Sequence, residues 1–314
     1  MPKVTLKNST GTINISELVS EISWTGSNDT IARSMEIQLL YPLHDYLAPK
    51  IYPKIGDMMF LYDDEGSELF QGRVFYNERL SEQGTIQITC YDDAIRFSKS
   101  KGTYNFKKKT AEAITTTVCN DLGITIGKLA ATGITQKLLC QKSGMYDILK
   151  DAYNGASLQN KKKYLFMMQN GKFHVIEYGG EVISYVLNAD TNILESSYSE
   201  NAENVINRVK IYDENDKYIG VVENKQLVNL IGVFQEVYTK EKDKQAKTVA
   251  SNMIQGIEKT VDVTVIGNVE CISGKAVKIE DPITKLTGLF YIESDTHSWS
   301  NGQYTTSMTL KFKG

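Results

Sequence analysis

Histidine, cysteine and carboxylate side chains are the groups here that could move protons, hold metals or attack carbonyls, and their spacing points away from all three. His297 lies in Asp295-Thr296-His297-Ser298-Trp299, which carries the residue types of a hydrolytic triad. Side chains that close together on one strand or turn cannot reach the mutual geometry a triad needs, so His297 is expected to be a turn residue bonded to backbone. His174 alternates with Phe173 and Val175 along a hairpin strand and reads as surface-facing or internally satisfied; His44 completes the set. Cys90, Cys119, Cys140 and Cys271 have no CxxC or metal-ligand spacing, and no HxxxH, Cys/His cluster or EF-hand pattern occurs. Cys90 falls on an apolar strand face and Cys119 near the buried side of a helix, which indicates buried free thiols and a reducing compartment rather than disulfides.

The acidic pairs Asp63-Asp64, Asp92-Asp93 and Glu280-Asp281 could in principle serve as glycosidase carboxylates. Acidic residues at strand ends and turns more simply accept backbone hydrogen bonds, and that is the expectation. No GxGxxG after a strand, GxxxxGK[ST] or GxSxG is present. The runs Lys107-Lys108-Lys109 and Lys161-Lys162-Lys163 read as solvated loops, without the aromatic and arginine platform of a nucleic-acid binder. Catalytic, cofactor and metal residues are therefore all expected to be none.

The elements that carry these residues are mostly strands. The stretch Gly56–Tyr91 has an apolar strand, an acidic turn at Asp63–Gly66, a strand through Gly72 and a strand after Gly84. In the last, Ile86, Ile88 and Cys90 take one face while Thr85, Gln87 and Thr89 take the other. The plan recurs from Gly274, and its final strand sets Tyr304, Thr306, Met308, Leu310 and Phe312 against Thr305, Ser307, Thr309 and Lys311. Period-two alternation of this kind marks half-buried antiparallel strands, so a duplicated β unit is expected. Residues 1–55 add strands, among them Ala32–Tyr41, punctuated by Pro42 and Pro53. From Asp92 the character changes to a short helical turn, a basic loop and a helix with Thr110 as N-cap and Gly123 as its end. A second amphipathic helix follows Ser143-Gly144, and Asn170-Gly171 joins a hairpin. Asn204–Tyr212 reads as a strand, and Lys242–Glu258 as a helix with an Asp243–Lys247 pair.

At 314 residues the chain can form two or three domains. The expected architecture is mainly β with α+β. Residues 1–94 are expected to form a first antiparallel β domain, a small barrel or sandwich, and residues 95–190 a helix-containing connecting module. Residues 191–314 are expected to form a second β unit, interrupted at about 224–260 by a helical insertion. A net charge of −3, with 30 lysines but only 5 arginines, supplies no field or bidentate donors for nucleic acid. No signal-peptide core or membrane-spanning run is visible, so a chain made and folded in a cytoplasm is expected, with any extracellular destiny needing another export route such as release on lysis.

Several segments, in order, resemble baseplate hub proteins of contractile phage tails. YDDAIRFSKSKGTYNFKKKTAEAITTTVCNDLGI is similar to the hub segment after the first β domain, with its Asp-rich strand end, aromatic/Lys loop and Thr-Ala-started helix. SGMYDILKDAY, KKKYLF, ENVINRVKIYDENDKYIG and GLFYIESDTHSWSNGQYTTSMTLKF continue the likeness. The chain looks most like hubs of PBSX-like defective prophages and R-type bacteriocins, and more distantly like those of T-even phages and the late control protein D family. The resemblance implies two tube-like antiparallel β-barrel domains per chain, residues 1–94 and 191–314, in a non-enzymatic, structural homotrimer that adapts a threefold central spike to a sixfold tail tube and nucleates the tube. It also implies a chain made in the bacterial cytoplasm and released on lysis as part of a phage tail or bacteriocin particle. Implied partners are the tube or tube-initiator protein, the spike and other baseplate proteins, with no membrane insertion and no specific nucleic-acid recognition. Thr85, Gln87, Thr89, Thr305, Ser307 and Thr309 become candidates for the lumen or an interface. A hub of a related injection or secretion machine, or a secreted β-rich glycan-binding or wall-degrading protein, are the alternatives.

Overall fold

The computed structural model describes residues 2–41, 49–82, 84–240, 245–282 and 284–312. Pro42, His44 and Asp243 lie outside them. The protein is mainly β with a few helices and divides into two units, Met1–Ser196 with Asp262–Gly314, and Ser197–Val261.

The first unit opens with β1 (Lys3–Asn8), β2 (Gly11–Asn14), β3 (Val19–Ser27), β4 (Ser34–Leu40), β5 (Met58–Tyr62), β6 (Glu68–Leu80) and β7 (Thr85–Tyr91). The connecting segment follows, with α1 (Ile95–Lys99), β8 (Lys101–Thr110), α2 (Ala111–Leu122), β9 (Ile126–Leu129), β10 (Thr135–Gly144), α3 (Met145–Asn160), β11 (Tyr164–Gln169) and β12 (Lys172–Glu177). Next come β13 (Val182–Asn188) and β14 (Ile193–Asn201), then β15 (Arg208–Tyr212), β16 (Tyr218–Glu223), α4 (Lys225–Ile231), β17 (Gln235–Thr239) and α5 (Ala246–Asn252). The chain closes with β18 (Glu258–Ile266), β19 (Ala276–Asp281), β20 (Leu286–Ser300) and β21 (Gln303–Phe312).

Strand pairing makes the repeat explicit. One sheet runs β14-β18-β21-β20-β3-β4-β7-β6-β5-β1-β2, with β19 beside β20 and β13 beside β19. The first half has the order β3-β4-β7-β6-β5-β1, and the second has β14-β18-β21-β20-β19-β13. Each half contains a long middle strand with a register shift at the same place in the repeat, between Val74 and Tyr76 in β6 and between Ile292 and Ser294 in β20; β6 carries a second, at Leu69 against β5. The halves differ at their margins, since β1 meets β5 antiparallel while β13 meets β19 parallel. In both halves inward residues are apolar: Met35, Ile37, Ile86, Ile88 and Cys90 in the first, Phe290, Ile292, Met308 and Leu310 in the second. That parity is the sequence alternation made physical, because successive side chains leave opposite faces of a strand.

The connecting segment has its own core, in which Phe97, Ile114, Leu149, Tyr153 and Phe173 are closed off from solvent. Helix α2 begins where Thr110 accepts from the Ala113 amide and ends at Gly123 in the left-handed region, as its sequence indicates. Asn170 and Gly171 both take positive φ in the two-residue turn between β11 and β12, which suits the twist of a hairpin. The expected basic loop is a correction: Lys107–Lys109 lie in β8, paired with β10 across a bulge where Lys108 takes φ 51°. An irregular register lets an otherwise polar run stay in a strand whose partner is also partly exposed.

The second unit is a three-stranded sheet, β16-β15-β17, packed on α5 through Val209, Ile211, Tyr238 and Ala250. Here two expectations are shortened. The strand starts at Arg208 rather than Asn204, because buried Asn207 uses its side chain to bond Gly232 O and the Phe234 amide. The helix spans only Ala246–Asn252, since Ile206 and Gln255 exchange backbone bonds just beyond it. All four cysteines are buried and free. Two substitutions test this packing by urea unfolding: Thr110→Ala should cost about 1 kcal/mol through the lost cap, and Phe173→Ala about 3–5 kcal/mol through the cavity left behind.

Candidate functional site

The sheet has one apolar face and one polar face, and the polar face is continuous across the join of the two halves. Thr85, Gln87 and Thr89 lie on β7, Thr305, Ser307 and Thr309 on β21. Thr89 stands opposite Tyr76 at the bulge of β6, and Thr309 opposite Ser294 at the bulge of β20, so the two trios occupy equivalent places in the repeat. They are not in contact with each other; β20, β3 and β4 lie between them. Gln87 and Ser307 are exposed, Thr89, Thr305 and Thr309 half-buried, and Thr85 buried.

Short polar groups link neighbouring strands across this face. Thr264 and Ser307 hydroxyls are 2.9 Å apart, and Thr309 donates to Asp262 at 2.8 Å. Thr25 and Thr296 hydroxyls meet at 3.3 Å, and Ser300 reaches Glu21 at 3.2 Å. An open trough crosses the centre, with Glu21, Glu36, Gln38, Gln87 and Ser298 among its walls and no lysine or arginine. Among the described residues lining it, the trough offers hydroxyls and carboxylates but no cation to grip phosphate.

Beneath the join the apolar face holds a charge cluster. β20 pairs β3 from Ser294–Ser27 to Ser300–Glu21, which sets His297 opposite Trp24. Arg33, in the turn from β3 to β4, makes a two-pronged ion pair with Asp295: Nη1 donates to Oδ1 at 3.0 Å, and Nη2 meets Oδ2. Asp295 also accepts the Ser273 amide at 2.6 Å. The guanidinium lies over the Trp24 ring at 4.2 Å and passes directly across Gly26, where a Cβ would stand 2.0 Å from Nη1. Only glycine leaves room there. His297 Nε2 is 3.3 Å from Asp295 Oδ2, and its Nδ1 is 2.9 Å from the Tyr304 hydroxyl and 3.2 Å from Thr306 Oγ1. Asp92 completes the set by accepting the Arg33 and Ala94 amides, each at 3.0 Å.

Burial decides the electrostatics. Desolvation alone would raise the Asp295 carboxyl, but Arg33 and His297 outweigh it and hold the group well below the usual carboxylate range. Burial pushes His297 down against the pull of Asp295, so it is held neutral. Asp92, fully enclosed, is pushed up to about 7 by desolvation, with the two backbone amides and Arg33 opposing.

This cluster cannot run triad chemistry. Asp295, His297 and Trp299 point inward while Thr296 and Ser298 point to the opposite face, so Ser298 never meets His297. The expectation of a turn histidine is corrected: His297 is enclosed in the middle of β20, within the ionic network. His174 is as expected half-buried and internally satisfied, accepting the Lys128 amide at Nδ1. Among the acidic pairs, Asp63 accepts the Glu65 and Ser67 amides in its turn, as the plain reading has it. Among the described residues no group of three His, Cys, Asp or Glu is placed to hold a metal. The sequence reading missed the burial of Asp295 and His297, and that signal was available: both share the parity of Trp299, on the face that must be buried. It also missed their partner Arg33, which no local pattern marks.

The chain belongs to the YQBQ-like family, whose profile matches residues 22–311. No curated protein sequence matches it. In fold it is similar to the 43 kDa tail protein of prophage MuSo2 from Shewanella oneidensis, with a TM-score of 0.76 at 16% identity over 98% of this chain and 97% of that one. It is also similar to a tail protein from Neisseria meningitidis MC58, with a TM-score of 0.74 at 14% identity over 100% and 97%. A third similar structure is the E. coli c3393 protein, a component of the type VI secretion system described as similar to T4 tail proteins gp27 and gp5; the TM-score is 0.57 at 8% identity over 94% and 74%.

Two measurements test the cluster. Arg33→Ala leaves a buried carboxylate unpaired and should cost about 3–5 kcal/mol, while Arg33→Met with Asp295→Leu should recover part of the loss; urea midpoints decide. For Asp92 the folded value lies above the unfolded one, so its contribution is full below about pH 4 and is lost as pH rises through about 7. The loss amounts to up to ~4 kcal/mol. Asp92→Asn, weaker overall for want of one backbone acceptor, should flatten the slope of stability between pH 5 and 8.

Proposed function

We propose that this protein is the hub of a contractile tail, a structural ring of three chains that joins a threefold spike to a sixfold tube. The observation that carries this reading is the internal duplication: one chain presents the same run of four strands twice, side by side in a single sheet. Three such chains present six equivalent runs, which is what a sixfold partner requires on one side while threefold symmetry is kept on the other. The tail-protein fold, extending over nearly the whole chain, supports the same reading.

In this reading the hydroxyl-rich face carrying Thr85, Gln87, Thr89, Thr305, Ser307 and Thr309 lines the channel. It lacks the apolar area that a stable protein interface buries in its core. The acidic trough repels rather than binds polyanions, so a passing nucleic acid or rigid cargo finds no sites at which to stall. The expected partners are the tube or tube-initiator protein, the central spike and other baseplate proteins, in a particle assembled in the bacterial cytoplasm and released on lysis. PBSX-like prophages and R-type bacteriocins are the particle types whose hubs its segments resemble. A hub in a related secretion machine is the second reading, favoured by the likeness to the type VI component.

Light scattering on the purified chain, alone and mixed with its candidate spike, tests the proposal. Three copies in either sample is the expected result. A single copy in both, unaffected by the spike, would leave the ring without support.

A further inference from the structure

Away from the polar face of the sheet, the connecting segment and the turn from β3 to β4 enclose a pocket of about 230 Å³. Its wall is aromatic. Tyr146 and Tyr153 stand on α3, and Tyr164 and Phe166 take alternate positions of β11. Tyr153 is closed off from solvent, while the other three are half-buried. The rings meet at steep angles: Tyr146 and Phe166 at 82° with centroids 6.0 Å apart, Tyr153 and Phe166 at 72° and 5.6 Å. Edge-to-face packing of this kind builds a corner rather than a slot between parallel faces. Around that corner the lining is polar, with Asn154 and Ser157 on α3, Thr30 in the β3–β4 turn and Glu293 at the bulge of β20.

Two polar groups in the lining are left over. The side chains of Asn28 and Tyr178 lie close enough to influence each other, yet the Tyr178 hydroxyl and Asn28 Oδ1 find no hydrogen-bond partner among the described residues. Asn28 Nδ2 donates to Ile292 O at 3.5 Å, which leaves the amide oxygen as the free end. Burial and the nearby Glu293 hold the Tyr178 phenol above its usual range, so it keeps its proton and remains a donor.

The class of ligand follows from what these groups accept. One hydroxyl satisfies both leftovers, accepting from Tyr178 and donating to Asn28. A carboxylate or phosphate would accept from Tyr178 but face the Asn28 oxygen with no proton to offer, and an ammonium could not accept from Tyr178. The lysine in the wall is already engaged: Lys150 Nζ lies over the Tyr146 ring at 4.6 Å and 3.4 Å from Asp147. A sugar has the required mixture, a C–H face to lie on an aromatic ring and hydroxyls around its edge for amide, carboxylate and hydroxyl partners. The volume is below the about 300–1,000 Å³ of pockets that enclose drug-sized ligands, which suits a single ring.

We propose that this pocket is a saccharide site, taking one neutral pyranose unit with its C–H face in the Tyr146–Phe166 corner and a hydroxyl between Tyr178 and Asn28. Both leftover atoms are closed to water in the free chain, so the hydroxyl enters as the Asn28 amide shifts on its turn. Every lining residue belongs to one unit of one chain, so the site is independent of how many copies the particle holds.

Saturation-transfer NMR on the full-length chain tests the site. Glucose, galactose, N-acetylglucosamine and chitotriose are the probes, with glycerol as a hydroxyl control without a ring and adenosine monophosphate as a planar, anionic one. The expected result is ring-proton signal from at least one sugar, with a dissociation constant of about 1 mM or tighter, and none from glycerol. Tyr146→Ala and Asn28→Ala should each weaken it roughly tenfold, about 1.4 kcal/mol, with melting curves like that of the wild type. Should Tyr146→Ala unfold, Asn154→Ala replaces it, since Asn154 is exposed on α3 and alanine favours the helix. Tighter binding of chitotriose than of its monomer assigns the pocket to a glycan chain and equal binding to a free sugar, and either supports the site. Sugar signal no stronger than that of glycerol, binding of adenosine monophosphate alone, or sugar signal indifferent to every variant overturns it.

Discussion

The ion pair between Arg33 and Asp295 sits where the two halves of the chain meet, and the local sequence is arranged around its cost. Two charges moved out of water lose several kcal/mol of hydration each, and recover it only with good geometry and satisfied lone pairs. The two-pronged contact supplies the geometry, and the Ser273 amide takes a further lone pair on Asp295. The Trp24 ring covers the guanidinium, and the bare backbone of Gly26 lets it pass. Trp24, Gly26 and Arg33 come from one end of the chain, Ser273 and Asp295 from the other. A chain that joined its halves in another register would leave a charge stranded, so the pair selects one register more than it adds stability.

With the register fixed, the rest of the sheet follows from parity. A one-residue slip of β3 against β20 would turn Ile22 and Trp24 out to water and bring Ser23 and Thr25 into the core opposite His297 and Trp299. The bulges at Phe75 and Glu293 are what allow a single long strand to serve two neighbours. An extra residue sharpens the twist, so that the part of the strand before it lies against one partner and the part after it against another. In β20 those partners are β19 and β3; β6 has β5 before its bulge and, among the described residues, only β7 after it.

Much of this was legible in the sequence, and the exceptions share a cause. Alternation placed Ile86, Ile88, Met308 and Leu310 inward and Thr85, Gln87, Thr305 and Ser307 on the opposite face; capping chemistry fixed α2 at Thr110 and Gly123. Those signals are local. Arg33 was invisible because its partner lies 262 positions away, and no short-range pattern marks a residue for pairing at that distance. His297 was expected in a turn, although it alternates with Asp295 and Trp299 along one face of a strand. The short strand at Arg208 and the short α5 were set by Asn207 and by the Ile206–Gln255 bridge, tertiary contacts that override a periodic pattern. For the polar face, the sequence could name the hydroxyl residues but not what lies over them.

The β20–β3 seam also has a mechanical meaning. Its seven residue pairs, Ser294–Ser27 to Ser300–Glu21, lie side by side with hydrogen bonds perpendicular to the strands. A pull directed along the strands shears all of them at once, and none can yield before the others. A pull across the sheet would peel them singly from one end, with Arg33–Asp295 met early in that path. The same set of bonds is therefore stiff in one direction and compliant in the other, a property that belongs to the orientation of the load rather than to the number of contacts.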